Sequence, residues 1–173
     1  IKASALNDLG YTFQNLGDDQ RALEYYERSL RLQLEINDQF GAGTTYNNIG
    51  FVYQHLGQTK KALEYYRLAL KTRTTARDTN GVAQTLNNFG FLYKKLGDPE
   101  CKASKEVCRE QSLDLAFDYY IRSLDIYTQK QDSIGLATEL NNLGSLWMMR
   151  KNHDKAKAYF LKCENIRRKK GDV

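Results

Sequence analysis

Leu86-Asn87-Asn88-Phe89-Gly90 is the stretch that decides the fold, because it recurs. Near-copies stand at Leu6-Asn7-Asp8-Leu9-Gly10, Tyr46-Asn47-Asn48-Ile49-Gly50 and Leu140-Asn141-Asn142-Leu143-Gly144. Their first residues are 40 apart (6 to 46), 40 again (46 to 86) and then 54 (86 to 140). A period of that size means two-element repeats stacked in one dimension, each burying an apolar face against its neighbour. It also moves function away from a catalytic cleft and towards a long binding surface.

Each copy is followed, three residues after its glycine, by an aromatic: Phe13, Tyr53, Tyr93 and Trp147. Positions 6, 9, 10 and 13 are i, i+3, i+4 and i+7, the stripe of an amphipathic helix, here called helix A. Leu16-Gly17, Leu56-Gly57 and Leu96-Gly97 are expected to close it with a glycine in the left-handed conformation. The fourth copy has Arg150-Lys151-Asn152 there, so Asn152 is expected to take that place. A second stripe, helix B, reads Ala22-Tyr26-Ser29, Ala62-Tyr66-Ala69, Ala116-Tyr120-Ser123 and Ala156-Phe160-Cys163. Small, aromatic and small residues at i, i+4 and i+7 let two helices approach closely while the ring fills the gap. Cys163 is thus read as a small buried side chain rather than a reactive thiol. Asp38, Asp78 and Asp132, each three residues before a glycine, are expected N-caps of the next helix A.

These residues resemble the tetratricopeptide repeat: a large apolar residue, Leu-Gly and an aromatic in helix A, then Ala, aromatic, Ala in helix B. The resemblance runs in register over essentially the whole chain. It implies an all-α fold, a right-handed α-α superhelix (a solenoid) of four helix-turn-helix repeats. A single domain over 1–173 is expected, with repeats at about 1–38, 39–78, 79–132 and 133–173. The 40-residue period is longer than the family's usual 34. It is similar to the long variety in bacterial signalling proteins, kinesin light chains and Pins-type adaptors.

The third repeat carries an insertion. From Gly57 to Ala62 is 5 residues and from Gly97 to Ala116 is 19, so 14 extra residues near 98–115 account for the period of 54. Fourteen is close to four helical turns at about 3.6 residues each, so added helix keeps the downstream face in phase. Asp98 as N-cap with Pro99 at the first helical position predicts helix B extended backwards, or a helical loop making the same detour. Cys101 and Cys108 would lie about 10.5 Å apart along such a helix, too far for a disulfide; in a loop a redox clip remains open.

At about 100° per residue the Asn pair points away from helix A's core stripe. Its face carries Tyr11, Asn47, Asn48, Phe51, His55, Asn87, Asn88, Phe91, Lys95, Asn141 and Asn142. The resemblance implies that A helices line a concave groove, which makes these eleven residues the candidate partner-binding set. Paired Asn is costly within a helix. Either the carboxamides of Asn48, Asn88 and Asn142 hold an extended peptide backbone, as the family does, or they form a ladder between A helices. Asp8 breaks the pattern in repeat one. The Lys and Arg set of the family's carboxylate-clamp members is absent, which argues against a receptor for a C-terminal carboxylate.

Charged residues are 27% and hydrophobic residues 41%, with one proline, which suits a helical array with a continuous core. Net charge is +5, partly from Arg167-Arg168-Lys169-Lys170. Cations suit a helix's last turn, and no aromatics are interleaved as single-strand binding requires, so nucleic acid is disfavoured. Three cysteines without Cys-x-x-Cys favour neither a disulfide framework nor zinc, and a reducing, cytoplasmic setting is preferred. No apolar run reaches the ~20 residues of a membrane span. The chain starts inside a repeat without Met and stops where a next repeat would begin, so a piece of a longer protein is expected. Two histidines in different repeats and the absence of phosphate-loop, zinc-protease or nucleophile-elbow motifs predict no catalytic residues, no metal, no cofactor and no enzyme. The leading reading is a module that binds a protein or peptide in its groove. The alternatives are a sensory segment of a larger signalling protein, of the histidine kinase or transcription regulator type, and a structural spacer. Self-association through the open array ends is a further expectation.

Overall fold

The computed structural model describes residues 2–98 and 109–170, and among them eight α-helices and no strand. They are α1 (Lys2–Asn15), α2 (Asp19–Glu35), α3 (Gln39–His55), α4 (Thr59–Thr75), α5 (Thr79–Leu96), α6 (Arg109–Gln129), α7 (Ser133–Met149) and α8 (His153–Lys170). Odd-numbered elements are the A helices and even-numbered ones the B helices of the four repeats. The chain divides into two compact halves, 1–85 and 86–173.

The turns follow one rule. A residue with positive φ ends a helix and the next residue caps the following one. Gly17 (φ 77) and Gly57 (φ 70) fill that place after α1 and α3. The amide of the following residue reaches back to the carbonyl of Phe13 or Tyr53, closing the helix end. After α2, α4 and α6 the same place falls to Asn37, Arg77 and Gln131, at φ of 54, 56 and 54. The aspartates then cap as expected: the Gly41 amide donates to Asp38 Oδ1 (2.9 Å), that of Gly81 to Asp78 (2.8 Å), and that of Gly135 to Asp132 (3.2 Å).

Two expected caps are corrected. In repeat four Lys151 takes the left-handed conformation (φ 57), and Asn152 instead caps α8 by accepting from the Lys155 amide at 3.1 Å. Asn caps an N-terminus at least as well as it bends a C-terminus. Gly97 has no positive φ; its amide continues the helical pattern by bonding Tyr93 O at 2.9 Å. Its role is close approach: a Cβ at 97 would stand 2.5 Å from Leu113 Cδ2.

In the first half the core joins Ala22 and Tyr26 of α2 to Ile49 and Val52 of α3. In the second it joins Leu113, Ala116 and Tyr120 of α6 to Leu143 and Leu146 of α7. The helix A glycine meets the helix B aromatic in every repeat. A Cβ on Gly10, Gly50, Gly90 or Gly144 would come within 2.6, 2.7, 2.6 and 2.5 Å of Tyr26, Tyr66, Tyr120 and Phe160 respectively. Leu9 departs from the expected core stripe. It is 43% exposed while its counterparts Ile49, Phe89 and Leu143 are buried, Ile49 against Ala22 and Tyr26 of the preceding helix B. Cys163 is buried, its thiol 3.2 Å from Ala137 O.

The insertion's residues 99–108 lie outside the described residues, and with them Pro99, Cys101 and Cys108. Of the remainder, 109–115 is helical. Helix α6 is present from Arg109, seven residues before Ala116, whereas α2, α4 and α8 begin three residues before their corresponding alanines. Arg109 also donates to Met149 O at 3.2 Å, joining the added turn to the end of α7.

Candidate functional site

The face expected to bind a partner is built from the side of each A helix turned away from the glycine-aromatic contact. Tyr11, Phe51 and Phe91 stand at the same place in three successive repeats and are 54%, 40% and 43% exposed. Ser145 takes that place in repeat four and Met148, three residues on, is exposed. The aromatic residues needed for packing are elsewhere on the helix: Phe13 stacks on Tyr25 with centroids 5.2 Å apart, and Tyr53 on Tyr65 at 5.3 Å.

In the first half, α1, α2 and α3 surround a pocket of about 550 Å³ lined by Tyr11, Gln14, Asn15, Asp19, Phe51 and His55. His55 Nδ1 lies 2.7 Å from Asp19 Oδ2. The imidazole is 64% exposed and the carboxylate 14%. Gln14 is held from below, since the buried Tyr26 hydroxyl donates to its Oε1 at 2.9 Å. Gln54 accepts from Tyr66 in the same way at 3.1 Å. The structure therefore brings Tyr11, Phe51 and His55 of the expected set to one place.

In the second half Phe91 is accompanied by Lys94, whose Nζ stands 5.5 Å from the ring centroid. Burial pushes this ammonium's pKa down. Lys95 is exposed. Lys94 occupies the position of Gln14 and Gln54, so it offers no acceptor, and the Tyr120 hydroxyl beneath is buried without a hydrogen-bond partner.

Asn7, Asn47, Asn48 and Asn87 form rungs between adjacent A helices. Asn48 Nδ2 donates to Asn7 Oδ1 at 3.3 Å. The buried Thr45 hydroxyl donates to Gln33 Oε1 at 2.8 Å and has Asn7 Oδ1 at 3.1 Å. Thr85 repeats the arrangement with Asn47 Oδ1 at 3.3 Å and accepts from buried Arg73 at 2.9 Å. In the second half the residue before the phrase is Glu139, fully buried. Ser123 Oγ donates to its Oε1 at 2.8 Å, Asn142 Nδ2 reaches its Oε2 at 3.4 Å, and Asn87 also hydrogen-bonds it. Burial raises this carboxyl to about pKa 7, and the three hydrogen bonds hold it back from going higher. Of the remaining expected residues, Asn88 is half-buried and Asn141 exposed.

Two sets of functional neighbours were not singled out from the sequence, whereas Gln14 and Gln54 belong to the helix A face already expected to meet a partner. The Thr45, Thr85, Glu139 position was signalled by a Thr immediately before the phrase in two copies. Gln14 and Gln54 recur in register beneath the exposed aromatics. Asp19 had no such signal, because Thr59 and His153 stand at its place elsewhere. Among the described residues no three His, Cys, Asp or Glu side chains are placed to hold a metal ion. None of the described helices is long and apolar enough to cross a membrane.

Comparison with known proteins agrees with the fold. Two family models described as tetratricopeptide repeat match residues 3–38 and 41–100. The crystal structure of BtubC (BKLC) from P. vanneervenii superposes with a TM-score of 0.78 at 22% identity, covering 99% of this chain and 65% of that one. The apo form of RapI gives a TM-score of 0.80 at 19% identity, covering 99% of this chain and 57% of that one. This chain thus spans less than two thirds of either of them, and at these identities the likeness is one of fold. No curated protein sequence matches it.

Proposed function

This chain belongs to the tetratricopeptide repeat family, generally a non-catalytic protein-protein interaction module, and from that premise we propose that it holds an extended segment of a partner protein against its A-helix face. The observation that carries this reading is the recurrence of Tyr11, Phe51 and Phe91 as large exposed rings that the core does not use. Exposed aromatics in register are the residue class that dominates interface energetics. The ladder narrows the contact elements: Asn7, Asn47 and Asn87 serve neighbouring helices, which leaves the rings, rather than the first Asn of each pair, to meet a partner.

The test is selection of peptides from a random displayed library on the wild-type chain, followed by binding to a Tyr11→Ala, Phe51→Ala, Phe91→Ala variant. Loss of at least tenfold in affinity with an unchanged melting temperature is expected. Peptides that bind both proteins equally would place the contact elsewhere. The spacer reading gains from the buried ladder, and failure to select any peptide would favour it.

A further inference from the structure

We propose that the pocket between Tyr11 and Phe51 takes a cationic side chain of the partner, arginine above all, with Asp19 as its counter-ion. This rests on the groove reading above and names the chemistry of one of its subsites. The pocket has two exposed aromatic walls, a floor of amides from Gln14 and Asn15, and one carboxylate. Asp19 Oδ2 is met by His55 Nδ1, but Oδ1 is buried and has no hydrogen-bond partner. A buried carboxylate oxygen without a donor is costly, so it marks a place where a donor is missing. The protein's own nearby cation is committed elsewhere: Arg21 is held by Asp18 and lies 4.4 Å over the Phe13 ring.

The chemistry of the walls selects the occupant. Ring faces of Tyr and Phe attract cations and repel carboxylates. A guanidinium is planar, stacks on such rings and offers a fork of donors that matches both oxygens of a carboxylate. An aliphatic side chain would fill the space and leave Oδ1 unpaired. In this arrangement Oδ1 is shielded from solvent, so the 64% exposed His55 imidazole has to swing out before a guanidinium can reach the carboxylate. The feature is particular to this pair of A helices, because the counterparts of Asp19 are Thr59 in repeat two and His153 in repeat four.

Titration of the 15N-labelled chain with acetyl-arginine N-methylamide tests it, using acetyl-norleucine N-methylamide and acetyl-glutamate N-methylamide as neutral and anionic controls. Saturable shifts at Tyr11, Asn15, Asp19, Phe51 and His55 are expected for the arginine probe, at least fivefold weaker for norleucine and absent for glutamate. Asp19→Asn, which keeps an oxygen for His55, should weaken the arginine probe about tenfold with an unchanged circular dichroism spectrum. Equal response to arginine and norleucine, a response to glutamate, or no shift at these residues overturns the proposal. Library selection separates it from the groove reading. Peptides that bind through the aromatic rings without enrichment in Arg or Lys leave the groove standing and remove the cation pocket. Arginine binding in the pocket without any selected peptide does the reverse.

Discussion

Gly50 of α3 lies against the ring of Tyr66 so closely that a Cβ on residue 50 would stand 2.7 Å from Cδ1. The contact recurs as Gly10–Tyr26 and Gly90–Tyr120 and makes the glycine of the phrase a spacing residue. Within a helix, Gly→Ala ordinarily stabilises by about 0.5–1 kcal/mol. Here the added methyl forces the buried ring to move, and overpacking of this kind costs about 1–3 kcal/mol. Gly50→Ala is therefore expected to destabilise by about 1–2 kcal/mol in denaturant unfolding. Gly17→Ala would also destabilise, but through its φ of 77 alone, since no atom lies within 4 Å of its Cβ position. A neutral or stabilising Gly50→Ala would disprove the close contact.

The Asn7–Asn48 rung should be measurable as a coupling. The two carboxamides meet at 3.3 Å between α1 and α3, a distance at which a neutral hydrogen bond contributes about 0.5–1.5 kcal/mol. Single and double Ala substitutions, analysed as a double-mutant cycle, are expected to give an interaction energy of about 0.5–1 kcal/mol. Additivity within error would show that the rung contributes nothing.

Glu139 predicts how stability depends on pH. Its carboxyl titrates near pH 7 in the folded chain against 4.5 ordinarily, chiefly because it is buried. The folded state holds the proton more tightly, so this contribution is full below about pH 4.5 and is lost as pH rises through about 7. The loss is on the order of 3 kcal/mol at 1.36 kcal/mol per unit. Glu139→Gln keeps an acceptor for Ser123 and cannot ionise. Thermal melts between pH 5 and 8 should show the wild type falling relative to this variant as pH rises, by roughly 2–4 °C per kcal/mol. Parallel pH profiles would refute the assignment.

Lys151 is a lysine where repeats one and two have glycine, at φ 57. A side chain in the left-handed region costs about 1 kcal/mol or more. Lys151→Gly is expected to raise stability by a few tenths to 1 kcal/mol, the gain being reduced by the freedom glycine gives the unfolded chain. The same exchange at exposed Lys157, in the body of α8, should lose about 1 kcal/mol and supplies the contrast.

The repeat was legible because packing in such an array depends on residue size at fixed spacing. Gly, aromatic and Ala at set intervals specify which faces meet, and a linear chain displays intervals directly. Asn152 and Gly97 depart from the pattern of the other copies because their neighbours differ. Lys151 could take the bend and Leu113 required the closeness, and neither need shows in spacing.

The sequence by itself determined the family, the alternation of A and B helices, the glycine-aromatic contact and the exposed rings of Tyr11, Phe51 and Phe91. All of these follow from a local period of about 3.6 residues within a repeat of 40. Beyond the aspartate caps, only the tertiary structure decided what the buried polar residues do. It set Asn7 against Thr45 and Asn48, buried Glu139 among Ser123, Asn87 and Asn142, and left one oxygen of Asp19 without a donor beside two aromatic rings. A hydrogen bond is directional, and all but one of these rungs join residues 16 to 52 positions apart, so their partners cannot be read from the period. Burial, which shifts a carboxyl or orphans an oxygen, exists only once the helices have packed.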